Sequence, residues 1–85
     1  MARPSLDRDE AMLFEPAHQV HTAFMRYSID VAFCDENWRV LHTVIALRPW
    51  RMTRWVRGSR YAVEMTGGSP IVALRPGDEL SLTDP

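Results

Sequence analysis

The sequence predicts a mostly β fold of the α+β class: a compact antiparallel sheet, barrel-like, with one or two short helices. Three observations predict it. Short runs rich in β-branched and aromatic residues recur along the chain, each closed by Pro, Gly or a polar cluster. One run, Ile29-Asp30-Val31-Ala32-Phe33-Cys34, places Ile29, Val31 and Phe33 on one strand face and Asp30, Ala32 and Cys34 on the other. A length of 85 residues bounds the chain to one domain, read as a β-rich unit over residues 11–82 after a flexible tail over residues 1–10.

Each element has a local reason. Residues 11–15 form a short apolar run that Pro16 closes, and residues 20–25 read as a second brief strand. Residues 29–34 are the alternating strand. Asp35-Glu36-Asn37 is a turn, because Asp starts turns and Asn tolerates positive φ. Residues 38–47 resume a β-branched pattern, so the two strands make a hairpin, the firmest element of the reading. Pro49 ends that strand, and the segment from Arg48 to Arg60 crosses over. In residues 60–65, Tyr61, Val63 and Met65 face the core, while Arg60, Ala62 and Glu64 share the other face. Gly67-Gly68 turns the chain, Ser69 caps a helical turn through residues 71–74 with Pro70 at its first position, and residues 79–82 close the fold as a strand. Phe14, Phe24, Phe33, Trp38, Trp50, Trp55 and Tyr61 are the aromatic core candidates. They suffice for one small core and not for a deep cavity, so a shallow groove or flat contact surface is the expected working geometry.

The net charge of −1 conceals an asymmetry. Residues 1–36 hold three arginines and seven acids, residues 37–60 six arginines and no acid, and residues 61–85 one arginine and four acids. The blocks carry −4, +6 and −3, and lysine is absent throughout. In the middle block Arg48, Arg51, Arg54, Arg57 and Arg60 fall three apart, with Trp50 and Trp55 among them. One reading is a solvated loop or short helix whose arginines pair with acids elsewhere. The sharper one is an anion or nucleic-acid surface, since arginine binds phosphates bidentately and stacks on bases; an acidic protein partner is the remaining reading. A sequence pI near 6.3 argues against a dedicated nucleic-acid binder.

Asp30 lies mid-strand beside apolar neighbours and needs a partner, for which Arg60 or Arg26 is the expected source. Glu64 shares the predicted face of Arg60, so an Asp30–Arg60–Glu64 cluster is the polar site open to a small ligand, with His21 beside it in an enzymatic reading. His18-x-x-His21 is a poor metal spacing on a strand, because positions three apart point to opposite faces. His42 and Cys34 complete no motif. No metal and no cofactor are expected, and Cys34 reads as a buried, unreactive thiol. The single cysteine excludes a disulfide framework, and no apolar run reaches the length of a membrane helix. With no signal-peptide core at the start, the chain is assigned to the cytoplasm.

Several stretches resemble a known family. Met12-Leu13-Phe14, the run from His21 through Met25-Arg26-Tyr27-Ser28 into Ile29-Asp30-Val31-Ala32-Phe33, and the turn Asp35-Glu36-Asn37-Trp38-Arg39-Val40 are similar to its signatures. So are Pro49-Trp50-Arg51, Arg60-Tyr61-Ala62-Val63-Glu64-Met65 and Leu74-Arg75-Pro76-Gly77-Asp78-Glu79-Leu80. The family is domain of unknown function 192, found in bacteria and archaea. The resemblance covers residues 11–82 and implies a compact β-rich fold without a nameable activity. Family members carry a further upstream strand and an Arg-Gly-Leu-Met type segment that this sequence lacks. That implies either a displaced start or a short version with an unpaired strand edge, which invites dimerisation. Ser28 stands where the family often has proline.

Three functions remain open. The leading one is a non-enzymatic binding module that uses Arg48, Trp50, Arg51, Arg54, Trp55, Arg57 and Arg60, near Asp30 and Glu64, against an unidentified protein or an anionic ligand. The second is a small-ligand-handling protein or enzyme built on the Asp/Arg/Glu cluster. The third is a nucleic-acid accessory domain.

Overall fold

The computed structural model describes residues 5–7, 10–23 and 26–83. Six strands form: β1 (Ser5–Asp7), β2 (Met12–Phe14), β3 (Ile29–Cys34), β4 (Val40–Leu47), β5 (Tyr61–Thr66) and β6 (Ser81–Thr83). A 3₁₀ turn spans Pro70–Ala73, and the described residues contain no α-helix. The main sheet is open and antiparallel in the order β2-β5-β3-β4, and β1 and β6 pair separately in parallel. The fold is mostly β, as the strand patterns predict, and no helix among the described residues is long and apolar enough to cross a membrane.

β3 is the centre, and all six of its residues are buried. Buried strands occur where both faces of a sheet are covered. One face of β3 packs Ala32 and Cys34 with Val63, Met65, Ile71 and Leu80 beneath the 3₁₀ turn and the β1/β6 pair. The other packs Ile29, Val31 and Phe33 with Ala17, Val20, Val56 and Ala62. The predicted alternation therefore holds, but both faces are core. The β1 strand falls within the stretch read as a loose tail, where Leu6 is 1% exposed. Residues 20–23 form no strand and contribute only an isolated bridge from His21 to Met52; Phe24 and Met25 lie outside the described residues. Of the aromatic core candidates only Phe33 is fully buried, while Trp38 and Tyr61 stack at 4.0 Å on the core's edge. Phe14, Trp50 and Trp55 are exposed, and Phe24 lies outside the described residues.

The hairpin turn forms on Asp35, whose carboxylate accepts from the Asn37 and Arg39 amides, both at 2.9 Å. Trp38 closes it at φ 63°, a backbone region where glycine fits with less strain.

Asp30 is 0% exposed, and no arginine among the described residues pairs with it. The expected Arg60 or Arg26 pairing is replaced by three hydrogen bonds: from the Ala46 amide at 2.8 Å, the Ser69 amide at 2.9 Å and the Ser69 hydroxyl at 2.8 Å. The reason is topological. β4 shifts register opposite Asp30, between the Ile29–Leu47 and Val31–Val44 pairs, and the Ala46 amide is freed from the ladder with φ 56°. On the other side Gly68, at φ 84°, turns the chain so that Ser69 meets the carboxylate and also caps the 3₁₀ turn. Burial pushes the Asp30 carboxyl up, but hydrogen bonds from Ala46, Ser69 and Gly68 outweigh it and leave its pKa below the ordinary value.

Asp30→Ala should therefore cost about 3 kcal/mol in urea denaturation at neutral pH, because it strands the two buried Ser69 donors and the part-buried Ala46 amide. The folded pKa is depressed, so this stability is present above the ordinary value of 3.8 and is lost as pH falls through the folded pKa. The gap between wild type and variant should shrink in acid; a constant gap would contradict the assignment.

Candidate functional site

The arginine-rich segment is an extended strap. Its burial has period three: Thr53, Val56 and Ser59 are buried, while Arg48, Arg51, Arg54, Arg57 and Arg60 are exposed. The inward positions fasten it to residues 17–22 by side-chain and backbone bonds. The Ser59 hydroxyl donates to Ala17 O at 2.6 Å, and the Ala17 amide to Arg60 O at 3.0 Å. The Val56 amide donates to His18 O at 2.7 Å and the Thr53 amide to Val20 O at 2.8 Å. The Thr53 hydroxyl accepts from the Val20 amide at 3.0 Å. Thr22 is 0% exposed and holds the strap's start: its hydroxyl donates to Arg48 O at 2.6 Å and accepts from the Arg51 amide at 2.9 Å. The Trp50 amide donates to Thr22 O at 3.0 Å, with Trp50 at φ 62°.

The strap's outer side combines charge and apolar area. Trp50, Met52 and Trp55 are 64%, 64% and 62% exposed. Arg60 pairs with Glu15 at 3.0 Å, and the hydrogen bond and charge of Glu15 raise its pKa. Arg48, Arg51, Arg54 and Arg57 make no ion pair among the described residues. The expectation that arginines here pair with acids elsewhere thus holds for Arg60 alone. His42 lies beneath, its pKa held down by burial and then by the Arg54 charge.

The predicted Asp30–Arg60–Glu64 cluster does not assemble. Register decides this: Asp30 lies opposite Met65, and Glu64 opposite Val31. Residues opposite one another share a face and successive residues do not, so the two carboxylates project from opposite sides of the sheet. Arg60 is engaged by Glu15 instead.

Glu64 occupies a groove on the strap's side of the sheet. It is 9% exposed and has no hydrogen bond or ion pair among the described residues. No side-chain nitrogen or oxygen is fully buried without a partner, so its oxygens open onto the groove. Burial pushes its pKa up. Two clefts, of about 180 and about 450 Å³, share it as lining. Met12, opposite Glu64 in the β2–β5 ladder, lines the smaller cleft; Phe14 and a His18–Trp55 stack at 4.8 Å and 4° line the larger. Sequence reading singles out Glu64 and His21 as candidates in a different cluster, weighs His18 only as a metal ligand and Phe14 only as a core aromatic, and misses Met12 and Tyr27. The one signal for Met12 and Phe14 was their i, i+2 spacing, which puts both on Glu64's face. No group of three or more His, Cys, Asp or Glu side chains among the described residues is placed to hold a metal.

A family model with the description uncharacterized ACR matches residues 1–82. No curated relative and no solved structure matches the chain.

The groove makes a stability prediction. The folded pKa of Glu64 is raised, so its contribution is complete below the ordinary value of 4.5 and is lost as pH rises through the folded pKa. Glu64→Gln should raise the melting temperature at pH near 7, and the gain should vanish below pH 4.5. An unchanged or lower melting temperature at neutral pH would contradict an unpartnered carboxylate.

Proposed function

The chain belongs to the DUF192 family, and from that premise we propose that it is a non-enzymatic binding module whose strap, residues 48–60, docks an acidic protein partner. One observation carries the reading: four exposed arginines without ion pairs among the described residues alternate with exposed Trp50, Met52 and Trp55 on a segment pinned along its length. Arginine and tryptophan are the residue types that most often anchor interfaces. A segment already held in place loses little further conformational entropy on binding. The unpaired guanidinium groups suit carboxylates of a partner, and the tryptophans supply apolar area that charge alone would not.

Enzymatic readings find less support. Cys34 is fully buried, and burial with the nearby Asp35 charge pushes its thiol up to about 12. Asp30 has every near donor committed to the fold, and it sits on the opposite face from Glu64. A single-stranded nucleic acid is the rival partner, because tryptophan and arginine also stack on bases.

The test compares a glutamate-rich peptide with a single-stranded oligonucleotide of equal charge, each titrated at about 50 and about 200 mM salt. The acidic peptide should bind, and Arg51→Glu with Arg54→Glu should weaken it at least about tenfold. A preference for the oligonucleotide would replace the partner with nucleic acid. Binding that ignores the double substitution would remove the strap from the site.

A further inference from the structure

The groove around Glu64 carries a second, independent site. We propose that it binds an organic cation, an ammonium or guanidinium group on an apolar stem, with the charge against Glu64 and the stem in the larger cleft against Phe14 and Trp55.

The argument starts from the strand ladder. Met12, Glu64 and Val31 lie side by side across β2, β5 and β3, and Phe14, Ala62 and Phe33 form the neighbouring row. Residues in such rows share one face. Val31 and Phe33 are covered by the strap layer, whereas Met12 and Phe14 are 61% and 41% exposed. The layer stops short of β2, and the uncovered strip has Glu64 at its floor. A carboxylate that is nine-tenths buried needs a charged or hydrogen-bonding partner, and none among the described residues supplies one.

The chemistry of the lining selects a cation. No arginine lines either cleft, although the strap runs alongside, so no side chain there competes for the carboxylate. Glu10 adds a second acid to the smaller cleft, and His18 and His21 are the titratable groups of the larger. Aromatic faces at Phe14, Tyr27 and the His18–Trp55 stack attract cations as well as apolar stems. An anion would meet Glu64 and Glu10 unscreened. The larger cleft, about 450 Å³, falls within the range of small-molecule sites.

Three probes of one shape test this: 2-phenylethylammonium, the neutral 2-phenylethanol and the anionic phenylacetate, each titrated into the whole chain to about 10 mM by amide chemical shifts. The ammonium should bind with shifts at Glu64, Ala62 and Phe14, and both other probes at least about tenfold more weakly. Glu64→Gln should bring the ammonium down to the level of the alcohol, and Phe14→Ala should weaken both. The melting temperature of Glu64→Gln shows that this variant stays folded. Equal binding of ammonium and alcohol, unchanged ammonium binding in Glu64→Gln, or shifts confined to other surfaces would each overturn the proposal.

Discussion

The structure depends on a strand that is buried on both faces. β3 presents Ala32 and Cys34 to one core and Ile29, Val31 and Phe33 to the other, so each face needs its own cover. Helices usually cover such sheets, and in this chain the extended strap takes that place on one side and the 3₁₀ turn with the β1/β6 pair on the other, both joined by irregular backbone. Irregular backbone brings unpaired amides and carbonyls, and these must find partners where water cannot reach. A few side chains answer that need. Asp30 gathers the Ala46 and Ser69 amides and the Ser69 hydroxyl on one side, while Thr22, Thr53 and Ser59 bind strap backbone on the other. The layers are joined through buried polar groups as much as through apolar contact.

The parts that were legible in the sequence were local. Alternation over residues 29–34, the Asp35 turn and the Ser69 cap are each written in a few adjacent residues, and each forms where expected. The partner of Asp30 was not local. Opposite charge suggested Arg60, but the bulge at Ala46 and the turn at Gly68 bring neutral donors from residues 16 and 39 positions away. The separation of Asp30 from Glu64 likewise rests on one residue of register between β3 and β5, which no single strand reveals. Residues 20–25 read as a brief strand, yet of these residues 20–23 form none, although Val20 and Thr22 are buried in alternation. They run beside the strap instead, with bonds enough for one edge but not for a continuous ladder. The tryptophans of the strap were core candidates by residue type alone; the period-three burial of Thr53, Val56 and Ser59 turns them outward.

Two buried carboxylates on neighbouring strands define the division of labour. Asp30 is fully partnered and its pKa falls; Glu64 is unpartnered and its pKa rises. The first supports the fold, and the second carries a burial cost while it is charged. Sites that break the rule of satisfied polar groups are where function concentrates. The strap connects the two ideas, because it covers one core and displays the arginines, and its Trp55 forms a wall of the groove. A surface held this way keeps one shape before and after binding.

That rigidity is the central claim, and amide hydrogen exchange measures it directly. The amides of Arg51, Thr53 and Val56, bonded to Thr22, Val20 and His18, should exchange about as slowly as those of Ala32 and Phe33 in β3. The Ala46 and Ser69 amides held by Asp30 should share that protection. Exchange of the strap amides at the rate of an open loop, while β3 stays protected, would contradict the account.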